Sequence, residues 1–546
     1  MLPDIDKTYT ELAAKEHLPG VVYGIVLDGK LVHSRALGFA NLEDKIAVTN
    51  DTQFRIASMT KSFVAMAAVK LRDEGKLRLD DPAARYLPEL RKLRLPTSDS
   101  PPLTVRMLMT MTTGLPEDNP WGDRQMALDN AAIARLAAGG LSFSSAPGQA
   151  FEYSNLGYIL LGKVVSKASG MRFQDYVTRH ILRPLGMNDT GWEYSQAPAD
   201  KLALGYHWLN NAWQREPMLH DGDAAAMGGL ITTMNDFARY VAFHLDAWPA
   251  RDGADSGPLK RASIREMHAP RVFTGISPKA TLADRVTPNP RVAFYSYGLT
   301  SSRDAHDVTV VGHSGGLPGF GSQYRFAPDH GVGVIAFTNL RYGPVYQPTA
   351  RLLQSLIEKG KLPARAVAPS PILLTRQQQV AQLIQGWDEK LGHEIAADNF
   401  FLDRSREDWI KEAAGQVASI GKVVSIGAIK PQNRLRGTFP MVGEKGTLEI
   451  GFTLTPEREP KLQELNIKLA AAPPAVVTVL KGKYQALDKE LSTPAQVFAL
   501  LKERKVNAMR IVADPEAAGD YERIGALIFG AARAGLDVKV EAPDGN

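Results

Sequence analysis

The chain has 546 residues, 44% of them hydrophobic and 23% charged, a balance that excludes a wholly disordered polymer and supplies enough length for several domains. Its 64 Lys and Arg against 59 Asp and Glu leave a formal charge of +5, with no run of five like charges and no basic stripe, which excludes a dedicated nucleic-acid binder.

Cysteine is absent, so there is no disulfide, no thiolate metal site and no cysteine nucleophile. The opening Met1-Leu2-Pro3-Asp4-Ile5-Asp6 lacks a charged segment followed by an apolar one, and no signal peptide is expected in the chain as given. No stretch approaches about 18 uninterrupted apolar residues, so no membrane-spanning helix is expected.

In chain order, residues 21–27 and 31–39 are β-rich runs joined by Asp28-Gly29, a strong hairpin signal. Residues 58–73 read as a helix whose Phe63, Val64, Met66, Ala67, Val69 and Leu71 cover most faces, so it should be almost wholly buried and stop near Gly75. Ala146-Pro147-Gly148 marks a turn before an apolar helix over 158–165. Residues 308–311, 324–326 and 332–338 read as strands, the last two antiparallel through Pro328-Asp329-His330-Gly331, and a helix over 349–360 closes the region. Antiparallel strands at both ends of a largely helical middle predict an α+β layer fold in which both ends enter one sheet.

Prolines and alanines over 361–371 suggest a linker. Residues 372–472 follow a helix-then-strands order, with a helix over 377–391 and strands over 435–439, 447–454 and 465–469. Pro473-Pro474 marks a break, and the tail to residue 546 reads β-α-β-α-β over 476–480, 494–504, 509–513, 521–534 and 537–540. The expected organisation is therefore a domain over 1–360, a linker over 361–371, an α+β domain over 372–472 and a small module over 473–546. No repeat of fixed period is present.

Three segments carry candidate chemistry. Ser58-Met59-Thr60-Lys61 sets a hydroxyl and an amine one turn apart on one helix, roughly 5–6 Å between Cβ atoms. Burial favours the neutral amine and makes it a usable proton acceptor, and a helix N-terminus suits a developing oxyanion. An ordinary serine and lysine on a helix fit the same pattern. Ser419-Ile420-Gly421-Lys422 matches it too, but its glycine and neighbouring strands demote it. Tyr153-Ser154-Asn155, at a helix entrance, offers a phenol held partly as phenolate by a nearby lysine, and an amide able to bond that lysine and a substrate carbonyl. The same residues also suit a plain helix N-cap. Gly312-His313-Ser314-Gly315-Gly316 matches the G-x-S-x-G nucleophile elbow, but Leu317-Pro318-Gly319 cannot start a helix, so that reading is rejected. The remaining reading is H-x-G on a strand edge beside the Ser58 helix.

Together, and in this order, these segments resemble the penicillin-recognising serine hydrolases, in the branch of class C β-lactamases, D-alanyl-D-alanine carboxypeptidases, D-aminopeptidases and esterases of the β-lactamase fold. Leu108-Met109-Thr110-Met111-Thr112-Thr113-Gly114-Leu115-Pro116 and Gly228-Gly229-Leu230-Ile231-Thr232-Thr233 resemble further segments of that branch. The similarity spans about residues 5–360. It implies an antiparallel sheet flanked by helices with a mostly helical region, followed here by two smaller C-terminal modules. It implies Ser58, Lys61 and Tyr153 as catalytic residues and Asn155, His313, Ser314, Gly315 and Gly316 as substrate-binding residues. Backbone N–H groups of Ser58 and Gly316 would form the oxyanion hole. No metal and no cofactor is implied. Residues 397–469, through Trp409, Leu435-Arg436-Gly437 and Leu448-Glu449-Ile450, resemble a domain found behind some of these hydrolases. The tail resembles, more loosely, the periplasmic part of ExbD-type transport proteins.

The resemblance implies a serine hydrolase using an acyl-enzyme on small esters, amides or β-lactams. Its β-lactamases usually carry Lys-Thr-Gly where this chain has His313-Ser314-Gly315, and histidine is a weaker anchor for a carboxylate near neutral pH. That ordering favours esters and D-amino-acid amides. The competing expectation is a non-catalytic or slowly deacylating penicillin-binding or sensor protein, with the C-terminal modules mediating interaction or oligomerisation. The family is usually exported, which implies a periplasmic or secreted protein if a leader was trimmed and a cytoplasmic one otherwise. His207, His220, His244 and His268 lack metal-ligand spacing, and Tyr206, Trp208, Trp213 and Trp121 suit an acyl pocket or the core equally.

Overall fold

The computed structural model describes residues 2–470, 474–504, 506–517 and 519–541; Pro473, in the expected break, and residues 542–546 of the tail lie outside them. The chain forms two compact units, Met1–Arg365 and Ala366–Asn546.

The first unit opens with α1 (Leu2–Lys15), then β1 (Gly20–Leu27) and β2 (Lys30–Asn41). Asp28 and Gly29 both take positive φ, 46° and 79°, the pair of left-handed residues that a two-residue hairpin requires. Two short strands, β3 (Ile46–Ala47) and β4 (Phe54–Arg55), lead to a 3₁₀ turn at Ala57–Met59 and then α2 (Thr60–Asp73). The helical middle continues through α3 (Val105–Thr110), α4 (Asn119–Gly122), α5 (Asn130–Ala138), α6 (Asn155–Ser169) and α7 (Phe173–Val177). After the hairpin β5 (Tyr206–Leu209) and β6 (Ala212–Arg215) come β7 (Ile231–Thr232), α8 (Met234–Asp246) and α9 (Arg261–His268). Strands β8 (Val272–Ser277), β9 (Arg291–Tyr295), β10 (Thr300–Asp304), β11 (Thr309–Leu317), β12 (Phe320–Ala327) and β13 (Val332–Thr338) precede α10 (Tyr346–Glu358).

Nine strands form one sheet in the order β3-β2-β1-β13-β12-β11-β10-β9-β8. The two ends of the unit meet in its middle, with Val21 opposite Thr338 and Leu27 opposite Val332. Val22, Val26, Ile335 and Phe337 join a core with α2 and α8 on one face, while Val21, Tyr23, Ile25, Val332 and Val334 join a core with α1 and α10 on the other. A sheet covered on both faces has near-continuous apolar strands, which is why β1 and β13 do not alternate polar with apolar.

Eleven of the fourteen residues of α2 are buried, as expected for a helix apolar on nearly every face. Each large apolar side chain so buried contributes about 1.5–3 kcal/mol. The polar Thr60, Lys61 and Ser62 are buried with them and must find partners inside. Several boundaries move, among them the helix expected over 158–165, which is α6, and the one over 349–360, which is α10. The helix expected from residue 58 starts at Thr60 after the 3₁₀ turn. The strand expected at 324–326 begins at Phe320. The strand expected at 308–311 runs on to Leu317, because Gly312, Gly315 and Gly316 carry no side chains to reveal a period.

In the second unit, α11 (Pro371–Gln385), α12 (Glu389–Ile395), α13 (Phe400–Asp403) and α14 (Arg406–Ile420) precede β14 (Val423–Ile426), β15 (Lys430–Asn433), β16 (Arg436–Gly443), β17 (Thr447–Leu454) and β18 (Leu462–Leu469). The sheet order is β14-β16-β17-β18, with β15 also on β16. The single helix expected over 377–391 is two helices, since Gly386 ends α11 and Asp388 caps α12 by accepting from Leu391 N–H at 2.8 Å. Pro371 opens α11 behind the Ser370 cap, a position where its missing N–H is harmless. The second Ser-x-x-Lys falls across the end of α14, where Gly421 has φ 74°. Lys422 is therefore off the helix that carries Ser419.

The tail builds β19 (Ala475–Leu480), β20 (Lys483–Ala486), β21 (Lys489–Leu491), α15 (Pro494–Glu503), β22 (Ala508–Ala513), α16 (Tyr521–Ala534) and β23 (Asp537–Glu541). Its sheet runs β21-β20-β19-β22-β23, and β19, β22 and β23 are parallel with helices in the crossovers, as parallel pairing requires. The hairpin β20-β21 adds to the expected β-α-β-α-β order. Among the described residues no helix is long and apolar enough to cross a membrane.

Candidate active site

Ala57, just before Ser58, has φ 49°, a left-handed conformation that a residue with a Cβ holds only where its surroundings impose it. The kink turns the chain from β4, which pairs with β7, into α2. It leaves Ser58 half-buried at the helix start and Lys61 fully buried one turn on.

Lys61 Nζ donates to Ser58 Oγ at 3.0 Å, to Asn155 Oδ1 at 2.7 Å and to the Met227 carbonyl at 2.6 Å. Those three acceptors use all the protons of an ammonium. An amide oxygen and a backbone carbonyl can only accept, so in the neutral amine they keep the two remaining protons and the lone pair falls toward the Ser58 hydroxyl. Burial pushes Lys61 down to about 7, against the pull of the Asp123 and Asp118 carboxylates in the other direction.

Ser154 caps α6, its hydroxyl accepting from Gly157 N–H at 3.3 Å. The N-cap reading of this segment is thus correct, and the cap sets Tyr153 at the helix entrance. The Tyr153 ring centroid lies 4.9 Å from Lys61 Nζ. Burial pushes the phenol well above its usual range; a bond with Ser58 lowers it, and Asp123, Asp118 and Glu117 raise it further. The direction runs against the expectation of a partial phenolate: burial first, and then the three carboxylates, disfavour the charged form of the phenol.

Asp118 holds the start of α6, its carboxylate accepting from Asn155 N–H at 2.6 Å and Leu156 N–H at 2.8 Å, where a helix N-terminus favours negative charge. Asn155 in turn donates from Nδ2 to Asn119 Oδ1 at 3.0 Å. The helix α4 can approach this closely because residue 122 is glycine; a Cβ there would lie 2.7 Å from Asn155 Cβ.

Strand β11 forms the opposite wall. A Cβ on Gly315 would stand 2.2 Å from the Ile56 carbonyl oxygen and 2.3 Å from Ser322 Oγ, so this strand lies against the Ser58 turn only with glycine there. His313 is buried and donates from Nδ1 to the Ser314 carbonyl at 2.6 Å, which makes Nε2 the acceptor for the Tyr295 hydroxyl at 3.2 Å. Burial and the Lys61 charge push His313 down to about 4, partly opposed by the Ser314 bond. It is therefore a neutral ring behind Tyr153, with centroids 6.1 Å apart. Ser314 is exposed and pairs with Gln323 in a strand that continues to Leu317. No helix follows, so a nucleophile elbow is absent from this segment. Gly316 sits beneath the Tyr342 ring, and the Tyr342 hydroxyl donates to Asp123 Oδ2 at 2.9 Å.

Ser58, Lys61, Tyr153 and Asn155 thus meet at one place, with His313 and Gly315 packed around them and Ser314 and Gly316 on the adjoining strand. Asp118, Asn119, Asp123, Met227, Tyr295 and Tyr342 were not anticipated from the sequence. The polar run after Pro116 was the available signal for the first three. Of the four aromatics named from the sequence, Trp121 lies exposed on α4, whereas Trp208 stacks on His17 at 4.1 Å and Trp213 donates to the His17 carbonyl at 2.8 Å, both in the β5-β6 hairpin with Tyr206. His244 and His268 bond each other at 2.7 Å, and among the described residues no group of three or more His, Asp or Glu side chains is disposed to hold a metal ion.

A family model described as Beta-lactamase matches residues 5–358. Protein flp of Staphylococcus aureus (strain N315) is 26% identical over 341 residues, covering 62% of this chain and 62% of that protein. Beta-lactamase-like protein 2 of Dictyostelium discoideum is 29% identical over 351 residues, covering 61% of this chain and 59% of that protein. The match thus spans less than two thirds of the length of either relative. Among solved structures, the octameric penicillin-binding protein homologue from Pyrococcus abyssi superposes with a TM-score of 0.53 at 21% identity, over 90% of this chain and 99% of that one. A class C beta-lactamase superposes with a TM-score of 0.52 at 21% identity, over 64% of this chain and 95% of that one. At these identities the structural likeness is one of fold.

Proposed function

The chain belongs to the Beta-lactamase family, and from that premise we propose that it is a serine hydrolase acting on esters or amides through an acyl-enzyme. The observation that carries the reading is the Lys61 Nζ–Ser58 Oγ contact of 3.0 Å, with the other two lysine protons committed to Asn155 and Met227. Neutral Lys61 takes the Ser58 proton as Oγ bonds to the substrate carbonyl carbon and the carbonyl electron pair moves onto oxygen. Backbone N–H groups of Ser58 and Gly316 stabilise that oxyanion. Tyr153, a neutral phenol, donates its proton to the leaving group as the bond to it breaks and is reprotonated from Lys61. Water then attacks the acyl-enzyme, and its proton returns along the same path to Ser58.

Neutral His313 gives a substrate carboxylate no fixed cation, so short-chain esters and D-amino-acid amides rank ahead of β-lactams. The hydrolase domain ends near residue 360, a linker follows to 371, and the modules over 372–472 and 473–546 serve self-association. The octamer named for the Pyrococcus abyssi protein, which aligns with 90% of this chain, supports that role.

The test is intact-mass spectrometry with a fluorophosphonate and a penicillin, alongside a panel of nitrophenyl esters, a chromogenic cephalosporin and D-alanyl amides. One phosphonate adduct, absent in Ser58→Ala, with ester or amide turnover is the expected result. Labelling that survives Ser58→Ala and disappears in Ser314→Ala would overturn it. A stable acyl adduct with no turnover on any substrate would identify a penicillin-binding or sensor protein instead.

A further inference from the structure

The face of the large sheet opposite Ser58 contains a cavity of about 290 Å³ between β9–β12 and α10, at the small end of the range for ligand pockets. Arg325 reaches it because it alternates along β12 with Tyr324 and Phe326, which enter the core on the α2 side. Arg291 of β9 lines it as well, and Val310, Leu353 and Ile357 give it an apolar wall.

The two arginines are unusually short of acceptors. In both, the Nε–H is buried and has no hydrogen-bond partner among the described residues. Arg291 donates from Nη2 to the Thr281 carbonyl at 3.2 Å and to Gln354 Oε1 at 3.1 Å. Arg325 packs its guanidinium 4.4 Å from the Tyr346 ring centroid. Neither forms an ion pair among the described residues. Burial disfavours the Arg325 charge, and neighbouring Arg291 does so too, against the relief from Tyr346. Both side chains are partly exposed, but their Nε–H groups are not, and a buried donor left without an acceptor is costly.

Two carboxylates line the same cavity, but both are committed elsewhere. Asp304 accepts from His306 N–H at 2.9 Å, Val308 N–H at 3.0 Å and Asn289 Nδ2 at 2.9 Å. Glu358 accepts from Gln354 Nε2 at 2.8 Å and Ala283 N–H at 2.7 Å. They leave the Nε–H groups unserved, and their charges oppose a dianion such as phosphate more than a single negative charge.

We propose that this cavity binds a monoanionic carboxylate with a short apolar body, the carboxylate between Arg325 and Arg291 and the body against Val310, Leu353 and Ile357. A planar carboxylate matches the fork of a guanidinium and supplies the missing acceptors. The site lies across the sheet from Ser58 and does not depend on the hydrolase reading.

The test is calorimetric titration of octanoate into the full chain carrying Ser58→Ala, so that the probe meets no nucleophile, with octanamide as the neutral counterpart. Octanoate is expected to bind at least about tenfold more tightly than octanamide, and Arg325→Met and Arg291→Gln are each expected to weaken it by at least about tenfold. Arg325→Met should unfold within about a few degrees of its parent, since no ion pair is lost and the methionine keeps the apolar stem of the side chain. No octanoate binding, equal binding of octanamide, or undiminished binding in either arginine variant would overturn the proposal. If Arg325→Met does not fold, Arg291→Gln alone decides.

Discussion

Asn155 fixes Lys61 from one side only: its Oδ1 accepts from Nζ at 2.7 Å, while its Nδ2 is held by Asn119 at 3.0 Å. The amide therefore cannot turn to offer Lys61 a donor, and the lone pair of the neutral amine has a single place to go, toward Ser58. These contacts set the direction of the lone pair, while burial lowers the proton affinity of the amine.

With Lys61 near 7, the acylation rate should depend on pH in the neutral range. The neutral amine is the active form, so kcat/KM for a nitrophenyl ester should rise about tenfold per unit below 7 and level off above it. A profile flat from 5 to 9 would remove Lys61 as the proton acceptor.

Asn155→Asp sets a carboxylate against Nζ and should raise the lysine toward its ordinary value. The rising limb of the profile should move to higher pH by about one unit or more, with kcat/KM at pH 7 falling at least about fivefold. An unmoved limb with lower plateau activity would mean that Asn155 serves only packing or substrate binding.

Tyr153→Phe keeps the ring against Lys61 and removes the proton. Ester turnover should drop by about 10²–10⁴-fold, while the unfolding midpoint changes little because only a hydroxyl is lost. Wild-type turnover in this variant would take Tyr153 out of the proton path.

The His244–His268 pair should limit acid stability. Burial holds His244 down to about 3 and His268 well below its usual value. The unfolded chain gains protons near 6.5 that the folded chain refuses, so this stability is fully present above 6.5 and is lost as pH falls below it, at up to about 1.4 kcal/mol per pH unit for each proton. His268→Gln should make the fall in urea midpoints between pH 6.5 and 4 less steep by about one proton's share, with His244 keeping the rest. An equally steep fall in that variant would shift the cause elsewhere.

What the sequence made legible was chemistry tied to local spacing. Ser58 and Lys61 stand at i and i+3 on a helix whose apolar faces announce burial, and Tyr153 and Asn155 flank a recognisable helix start. Met227 was invisible because it contributes a carbonyl that any residue would supply. Asp118, Asn119 and Asp123 sit in a polar segment without period. The glycines of β11 hid that strand's length, and continuous apolar spacing across Gly386 concealed a helix break. The neutral state of Tyr153 depends on how much water the folded chain excludes, which no local pattern records.

The pairing of Val21 with Thr338 at the centre of the large sheet has a consequence for biosynthesis. A ribosome delivers the first hairpin long before its partner strand exists, so the apolar β1 must wait, uncovered, while the whole helical middle is translated. Contacts this distant along the chain slow folding and prolong exposure to aggregation. Nascent chains stopped before residue 332 should therefore be the species that chaperones retain.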